Sequence, residues 1–469
     1  MSYYIVGIGG TGAKCVEALI HLAAAIPLDQ PLNVLLVDPD TANGSLERTL
    51  QTLEAYLAAA APLKSSTAQL LQTQIRPATP RVWSPFSSEQ RPVLRDLFQY
   101  EYLSQQHPAA ARLMDVLYSE QEKTAPLDQG FLGRPSIGVA VLADAVDLLG
   151  EPPWREFFGE RLRNDNQARI FLVGSIFGGT GAAGLPTLAR LLADALADRR
   201  RQYRLGCGLL LPYFSFPPGE DPTRLQARAD EFLLRSQAAL NYYQARLGDT
   251  TQPVYDALYL LGSDDQPSVG FNRLGSKEQR NPPHFLELYA AAAALHFFSN
   301  AAEANGQTYI TARAPGTGLS WNSIPDGEQL RAKLANLLRF AYAYSSYFYP
   351  KLERQILGNG ELRWTRWYSK EFFARGLSQE DERTAKLVRS YCDLLLVWLR
   401  DLQKLEGGLR IDLLNTGNFT VYPGLNAPNP TLDSLSGALD QRNRPRPGSD
   451  SLSGLSRFLH ALYYECRPS

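Results

Sequence analysis

Cysteine is scarce: the chain of 469 residues has Cys15, Cys207, Cys392 and Cys466, spaced too far apart for any metal-binding motif. They read as small hydrophobes of a reducing compartment rather than as a disulfide framework. No cluster of histidines and cysteines provides for a transition metal. Uninterrupted apolar runs fall short of the roughly 18 residues that span a bilayer. The N-terminus has neither a basic nor an apolar leader segment, so a cytoplasmic protein without a membrane segment is expected. A formal net charge of −1 lacks the basic excess that nucleic acid or an anionic membrane would call for. The one dense basic run, Arg199, Arg200, Arg201 and Arg204, follows a helical pattern and reads as a solvated C-terminal cap.

What the chain has is a large apolar complement, 44% of residues, with 36 glycines, enough for an extensive core. Short apolar runs begin at Tyr3, Asn33, Arg169, Leu205 and Tyr255, most of them followed by glycine, proline or an acid and then a helical pattern. That alternation predicts an α/β fold, a mostly parallel sheet with helices on both faces. The segment 47–125 is helix-like, broken by the proline-containing stretch Arg76–Pro85, and is expected to be an insertion on the sheet edge. Beyond residue 326 the apolar residues recur at helical spacing, predicting a largely helical C-terminal region, 327–469, with a flexible segment at about 425–450.

Two strand–glycine–helix units stand out. In one, Phe171-Leu-Val-Gly-Ser-Ile-Phe runs into Gly178-Gly179-Thr180-Gly181 and then a helix; in the other, Tyr3-Tyr-Ile-Val runs into Gly7-Ile-Gly9-Gly10-Thr11-Gly12. Glycine lets the backbone approach an anion, and the N–H groups of the next helical turn point at it with the positive end of the dipole. Two such cradles in one domain point to a nucleotide held from both sides. The first loop also satisfies G-x-G-x-x-G, with Asp38 closing the following strand, so a Rossmann-type NAD or FAD oxidoreductase is a competing reading.

An ordered series of segments resembles the tubulin/FtsZ superfamily, and more narrowly its bacterial tubulin-like branch. Gly9, Gly10, Thr11 and Gly12 match the family's first loop. Asp38-Pro-Asp40-Thr-Ala-Asn-Gly-Ser-Leu46 resembles its second, and Gly130-Phe-Leu-Gly133-Arg134-Pro135-Ser-Ile137-Gly138 its third. Gly178–Gly181 falls on the signature loop. Pro212-Tyr-Phe-Ser-Phe216, followed by Glu220 and Arg224, resembles the ribose-side segment, and Asn281 the base-contacting asparagine before a central helix.

Over residues 1–326 the resemblance implies a nucleotide domain that binds GTP or GDP with Mg²⁺. It assigns the glycine loops and Arg134 to the phosphates, Asp38, Asp40 and Glu220 with Arg224 to the sugar side or metal-bound water, and Asn281 to the base. No side chain ligates the metal directly, since Mg²⁺ is held by phosphate oxygens and water. Self-association, or a protein partner bound through the C-terminal region, is implied as well.

Each residue also has a plainer role available. Asp38 and Asp40 can cap the turn after a strand. Glu220 and Arg224 can form an exposed i,i+4 pair. Asn281, before Pro282 and Pro283, can be a helix N-cap. Pro282 replaces the aspartate that often reads guanine in the family, and Asp264 or Asp265 could supply that carboxylate. The loop that would complete hydrolysis in a neighbouring subunit corresponds to Leu319–Asp326, where Asp326 is the candidate catalytic acid. The functional expectation is a GTP-binding switch or self-assembling protein with slow hydrolysis. The alternative is a non-hydrolysing scaffold or adaptor, as in a bacterial defence system.

Overall fold

The computed structural model of the chain describes residues 1–63, 70–71, 73–86, 92–128, 130–131, 133–144, 148–215, 229–247, 254–263, 266–269, 281–300, 307–311, 320–324, 326–356, 372–373, 376–404, 413–415, 420–421, 431–441 and 454–467. Its first part alternates strand and helix: β1 (Tyr3–Ile8), α1 (Gly9–Ala25), β2 (Leu32–Val37), α2 (Gly44–Ala60) and β3 (Ile75–Trp83). The short helices α3 (Leu94–Leu97), α4 (Tyr100–Gln106), α5 (Pro108–Leu117) and α6 (Glu120–Thr124) follow. Next come α7 (Pro135–Asp144), β4 (Ala168–Ser175), α8 (Gly179–Ala195), β5 (Tyr203–Leu210), α9 (Ala229–Leu247), β6 (Ala257–Leu261), α10 (Phe285–Asn300) and β7 (Gln307–Thr311). The rest is mainly helical, α11 (Gly327–Ala343), α12 (Tyr349–Ile356), α13 (Gln379–Gln403), α14 (Leu432–Gln441) and α15 (Gly454–Glu465), with a short antiparallel pair, β8 (Leu414–Asn415) and β9 (Thr420–Val421), between α13 and α14.

Among the described residues, seven strands form one sheet in the order β3-β2-β1-β4-β5-β6-β7, each pair parallel. β1 and β2 are buried at every position, which is why they read as continuous apolar runs. Alternate residues still serve opposite faces. Tyr3, Ile5, Val34 and Leu36 join a core with α1, α2 and α10, whereas Tyr4, Val6, Leu35 and Val37 join a second core with α7 and α8. Helices therefore cover both faces, as the sequence pattern predicts.

Two expectations change. The proline-containing break inside 47–125 is strand β3, with Pro77 and Pro80 in it, paired to β2 through an irregular register. Proline is tolerated there because β3 is an edge strand whose outer side needs no ladder hydrogen bonds. Much of the expected insertion thus belongs to the sheet layers, as α2 and β3, and its later part is α3 to α6. The opposite edge is β7, a strand outside the five apolar runs.

The helical C-terminal region shares a core with the sheet domain. Leu334 and Leu338 of α11, Tyr391 and Leu395 of α13, and Phe458 and Leu462 of α15 are buried in the same cluster as α1 and α2. Residue 326 therefore marks a change of secondary structure, not a division of the core.

Two buried histidines, His21 and His284, and the half-buried His460 weaken this packing in acid. His21 of α1 lies with its Nδ1 3.1 Å from Tyr391 Oη, and burial, helped by the Arg48 charge, pushes its pKa down to about 3. Burial likewise pushes His284 and His460 down to about 4. Each is neutral when folded but takes up a proton below about pH 6.5 when unfolded, so the stability they permit is complete above that pH and is lost as pH falls. Asp38, whose pKa is raised by burial and by Asp40, acts with the opposite sign. The urea midpoint should fall between pH 7.5 and 5. His21→Gln should flatten the slope by at most about 1.4 kcal/mol per pH unit, the share of one proton; an unchanged slope refutes this role.

Candidate functional site

The strand order reverses its direction of growth between β1 and β4: β1 is followed outward by β2 and β3, β4 by β5 to β7. In open parallel sheets the crevice at the carboxyl ends of such a pair is where ligands bind. Here both strands run directly into helices. α1 starts at Gly9 with Ile8 as N-cap, and α8 starts at Gly179 with Gly178 as N-cap; neither cap supplies a side-chain hydrogen bond, and neither first turn contains an acid. Elsewhere Asn43 caps α2, while Ser119 and Ser378 form capping boxes on α6 and α13. The two helices at the switch point thus offer their N-terminal dipoles and first-turn N–H groups without a side-chain cap.

The loops touch one another. Gly9 has φ +72°, and a Cβ there would stand 3.3 Å from Thr180 Cβ and 3.4 Å from the Gly181 nitrogen. A Cβ on Gly179 would stand 3.1 Å from the Gly133 nitrogen, so Gly133 lies close against the second glycine loop. Gly130 and Gly133 are left-handed at φ +86° and +68°. Thr11, Gly178 and Thr180 are half-buried and form the accessible rim.

Not every glycine faces the crevice. A Cβ on Gly12 would lie 2.5 Å from the Val173 carbonyl oxygen, and one on Gly181 2.4 Å from that of Ser175. Both are there for close helix–strand packing. Gly10 is closed off by Asn43, whose Nδ2 would be 2.8 Å from an added Cβ.

Asp38 ends β2 and is buried. Its Oδ1 accepts the Asp40 N–H at 3.1 Å, while Oδ2 has no hydrogen-bond partner among the described residues. Asp40 accepts the Ala42 N–H at 3.1 Å, and Asn43 then accepts that of Ser45 at 2.9 Å. The turn-capping role is the one realised in this geometry, and burial makes Asp38 a poor partner for a ribose. Arg134 is partly exposed, its Nε 3.3 Å from Glu122, and Arg235 of α9 donates to the Gly133 carbonyl.

Behind the crevice lies a buried polar network that the sequence reading passed over. Lys14 of α1 pairs with Glu287 of α10, and Glu287 also accepts from the Tyr213 hydroxyl. One turn further along α1, Glu17 receives Arg48 Nε at 2.8 and 3.0 Å and the Thr52 hydroxyl at 3.2 Å. Arg48 also donates to the Asn281 carbonyl at 2.9 Å. Asn281 therefore joins the site through its backbone. The helix cap is instead His284, which accepts the Leu286 N–H at 3.0 Å while Glu287 accepts the His284 N–H at 2.9 Å. The clue in the sequence is that Lys14, Glu17 and Glu287 are isolated charges on otherwise apolar helices.

Glu220, Arg224, Asp264 and Asp265 lie outside the described residues. Asp326 is exposed before α11 with φ +54° and is close enough to His296, on the third turn of α10, to influence its charge. Glu287, by contrast, meets Lys14 at the start of that helix. Among the described residues no three His, Cys, Asp or Glu side chains gather to hold a metal. A Mg²⁺ ion at the crevice would accordingly rest on phosphate oxygens and water, where it would neutralise phosphate charge.

Gly181→Ala should lower the melting temperature sharply, because its Cβ meets backbone, whereas Gly130→Ala, with open space around it, should cost only about 1 kcal/mol of left-handed strain. Equal effects in thermal unfolding would show that packing does not separate them. Glu17→Ala should destabilise by about 3–5 kcal/mol by leaving Arg48 buried without its carboxylate, and denaturant titration against Glu17→Gln measures the charge part. Comparison with protein-family models, with curated proteins and with solved structures returns no match for this chain.

Proposed function

We propose that the chain binds a guanine nucleotide, GTP or GDP with Mg²⁺, in the crevice between β1 and β4. The observation that carries this reading is the meeting of two helix N-termini without side-chain caps, on adjacent parallel strands, with their glycine loops in contact. One such terminus suits a single phosphate; two facing each other suit a polyphosphate. In this reading Thr11 and Thr180 on the rim add hydroxyl donors, and Arg134, 3.3 Å from Glu122, exchanges that partner for a terminal phosphate.

In this reading the γ-phosphate draws on the loop 130–134 and, through the Gly133 contacts, on α8 and α9. The nucleotide thereby acts as a switch for self-association or for a partner at the helical layer. Asp326 serves hydrolysis only from a second copy, given its position along α10. A chain that binds nucleotide without hydrolysis is the scaffold form of the same proposal.

A dinucleotide is the second reading, favoured by Gly7-x-Gly9-x-x-Gly12 on β1–α1 and by the strand order, which doubly wound dinucleotide folds share. Burial of Asp38 and the second cradle at β4 weigh against it.

Denaturing the purified protein and identifying the released nucleotide by chromatography should give GDP or GTP, and nucleotide-free protein should take up GTP in preference to ATP and NAD. Release of NAD or FAD establishes the second reading, and no uptake of any of them ends both. Arg134→Ala should weaken GTP about tenfold with little change for GDP, as expected for one charge-assisted contact to the γ-phosphate. Asp326→Ala should abolish concentration-dependent phosphate release with GTP binding intact.

A further inference from the structure

Helix α1 ends at Ala25, about 24 Å along its axis from Gly9. There it borders a cavity of about 410 Å³ between the end of α1, α11 and α15. Its walls are mainly apolar and include Ala25, Pro27 and Ala332. Three features of its lining are polar and incompletely satisfied. Lys333 lines the cavity without an ion pair among the described residues. Arg467, also lining it, lies over the rings of Tyr463 and Tyr464, 6.0 and 5.1 Å from their centroids, again with no carboxylate among the described residues. Asn336 is 5% exposed, and its Oδ1 has no hydrogen-bond partner among the described residues.

We propose that this cavity is a binding site for a small amphiphilic anion. An apolar body of the ligand occupies the cavity, a carboxylate lies between Lys333 and Arg467, and a hydroxyl on the chain donates to Asn336 Oδ1. The volume falls within the range of small-molecule pockets, and an apolar wall with a few convergent polar groups is their usual make-up. Two cations without acidic partners disfavour a cationic ligand and reward an anionic one. A buried carbonyl oxygen without a donor is costly, and a ligand hydroxyl removes that cost. A neutral sugar would leave the apolar wall without a match, and a polyphosphate would find no apolar complement. The site is independent of the nucleotide reading, since it lies at the far end of α1 from the glycine loops.

Isothermal titration calorimetry on the full chain with 3-hydroxydecanoate, decanoate and decanol tests the assignment. Binding should be tightest for the hydroxy acid, weaker for decanoate and weakest for the alcohol. Lys333→Met and Arg467→Met should each weaken both carboxylates about tenfold, the loss of one charge-assisted contact, while leaving decanol unchanged. Asn336→Leu should remove the advantage of the hydroxyl; should that variant fail to fold, the two cation variants still decide. Equal binding of decanol and decanoate, indifference to both cation variants, or no binding of any of the three at millimolar concentration would overturn the proposal.

Discussion

Burial of α1 is the constraint on which the other features depend. The helix follows directly from a central strand and is enclosed by β1, β4, α2, α10 and α11. Every charge it carries must therefore find a partner in the interior. Lys14 takes Glu287, Glu17 takes Arg48, and His21 stays neutral against Tyr391. Removing one member of such a pair strands the other, so the pairs fix which helices lie beside α1 and in what register. The N-terminal turn is the part of the helix where this rule is relaxed, since its first N–H groups face a crevice and not a side-chain cap.

That arrangement gives the crevice a mechanical connection to the rest of the protein. The first glycine loop is continuous with α1; Lys14 and Glu17 tie α1 to α10 and α2; His21 ties it to α13. Asn281 and His284, just before α10, take part in the same network, so the entrance of that helix senses the position of α1. α1 is thereby packed against several helices of the helical layer. The second cradle is connected differently, through the Gly179–Gly133 approach and Arg235 to α9. The two glycine loops therefore contact different sets of helices.

Much of the fold was legible because parallel strands buried on both faces announce themselves as short apolar runs, and β1, β2, β4, β5 and β6 all do. β3 was hidden by Pro77 and Pro80, residues that a central strand would reject and an edge strand accepts. β7, at the other edge, reads Gln307-Thr-Tyr-Ile-Thr311, and its three polar residues break the continuous apolar run by which the other strands announce themselves. Of the candidate site, the glycine loops were readable since their chemistry is local. Even there, sequence alone treated all the glycines as phosphate contacts, whereas Gly12 and Gly181 are held by backbone approaches from neighbouring strands.

The amino-acid sequence by itself determined the alternation of strand and helix and the two glycine loops, because each depends on residues close together along the chain. The tertiary structure alone decided that the glycine loops touch, that Arg48 reaches Glu17 from another helix, and that the C-terminal helices complete the core around α1. Those outcomes rest on contacts between residues tens to hundreds of positions apart, whose energy depends on burial and geometry, and local pattern carries neither.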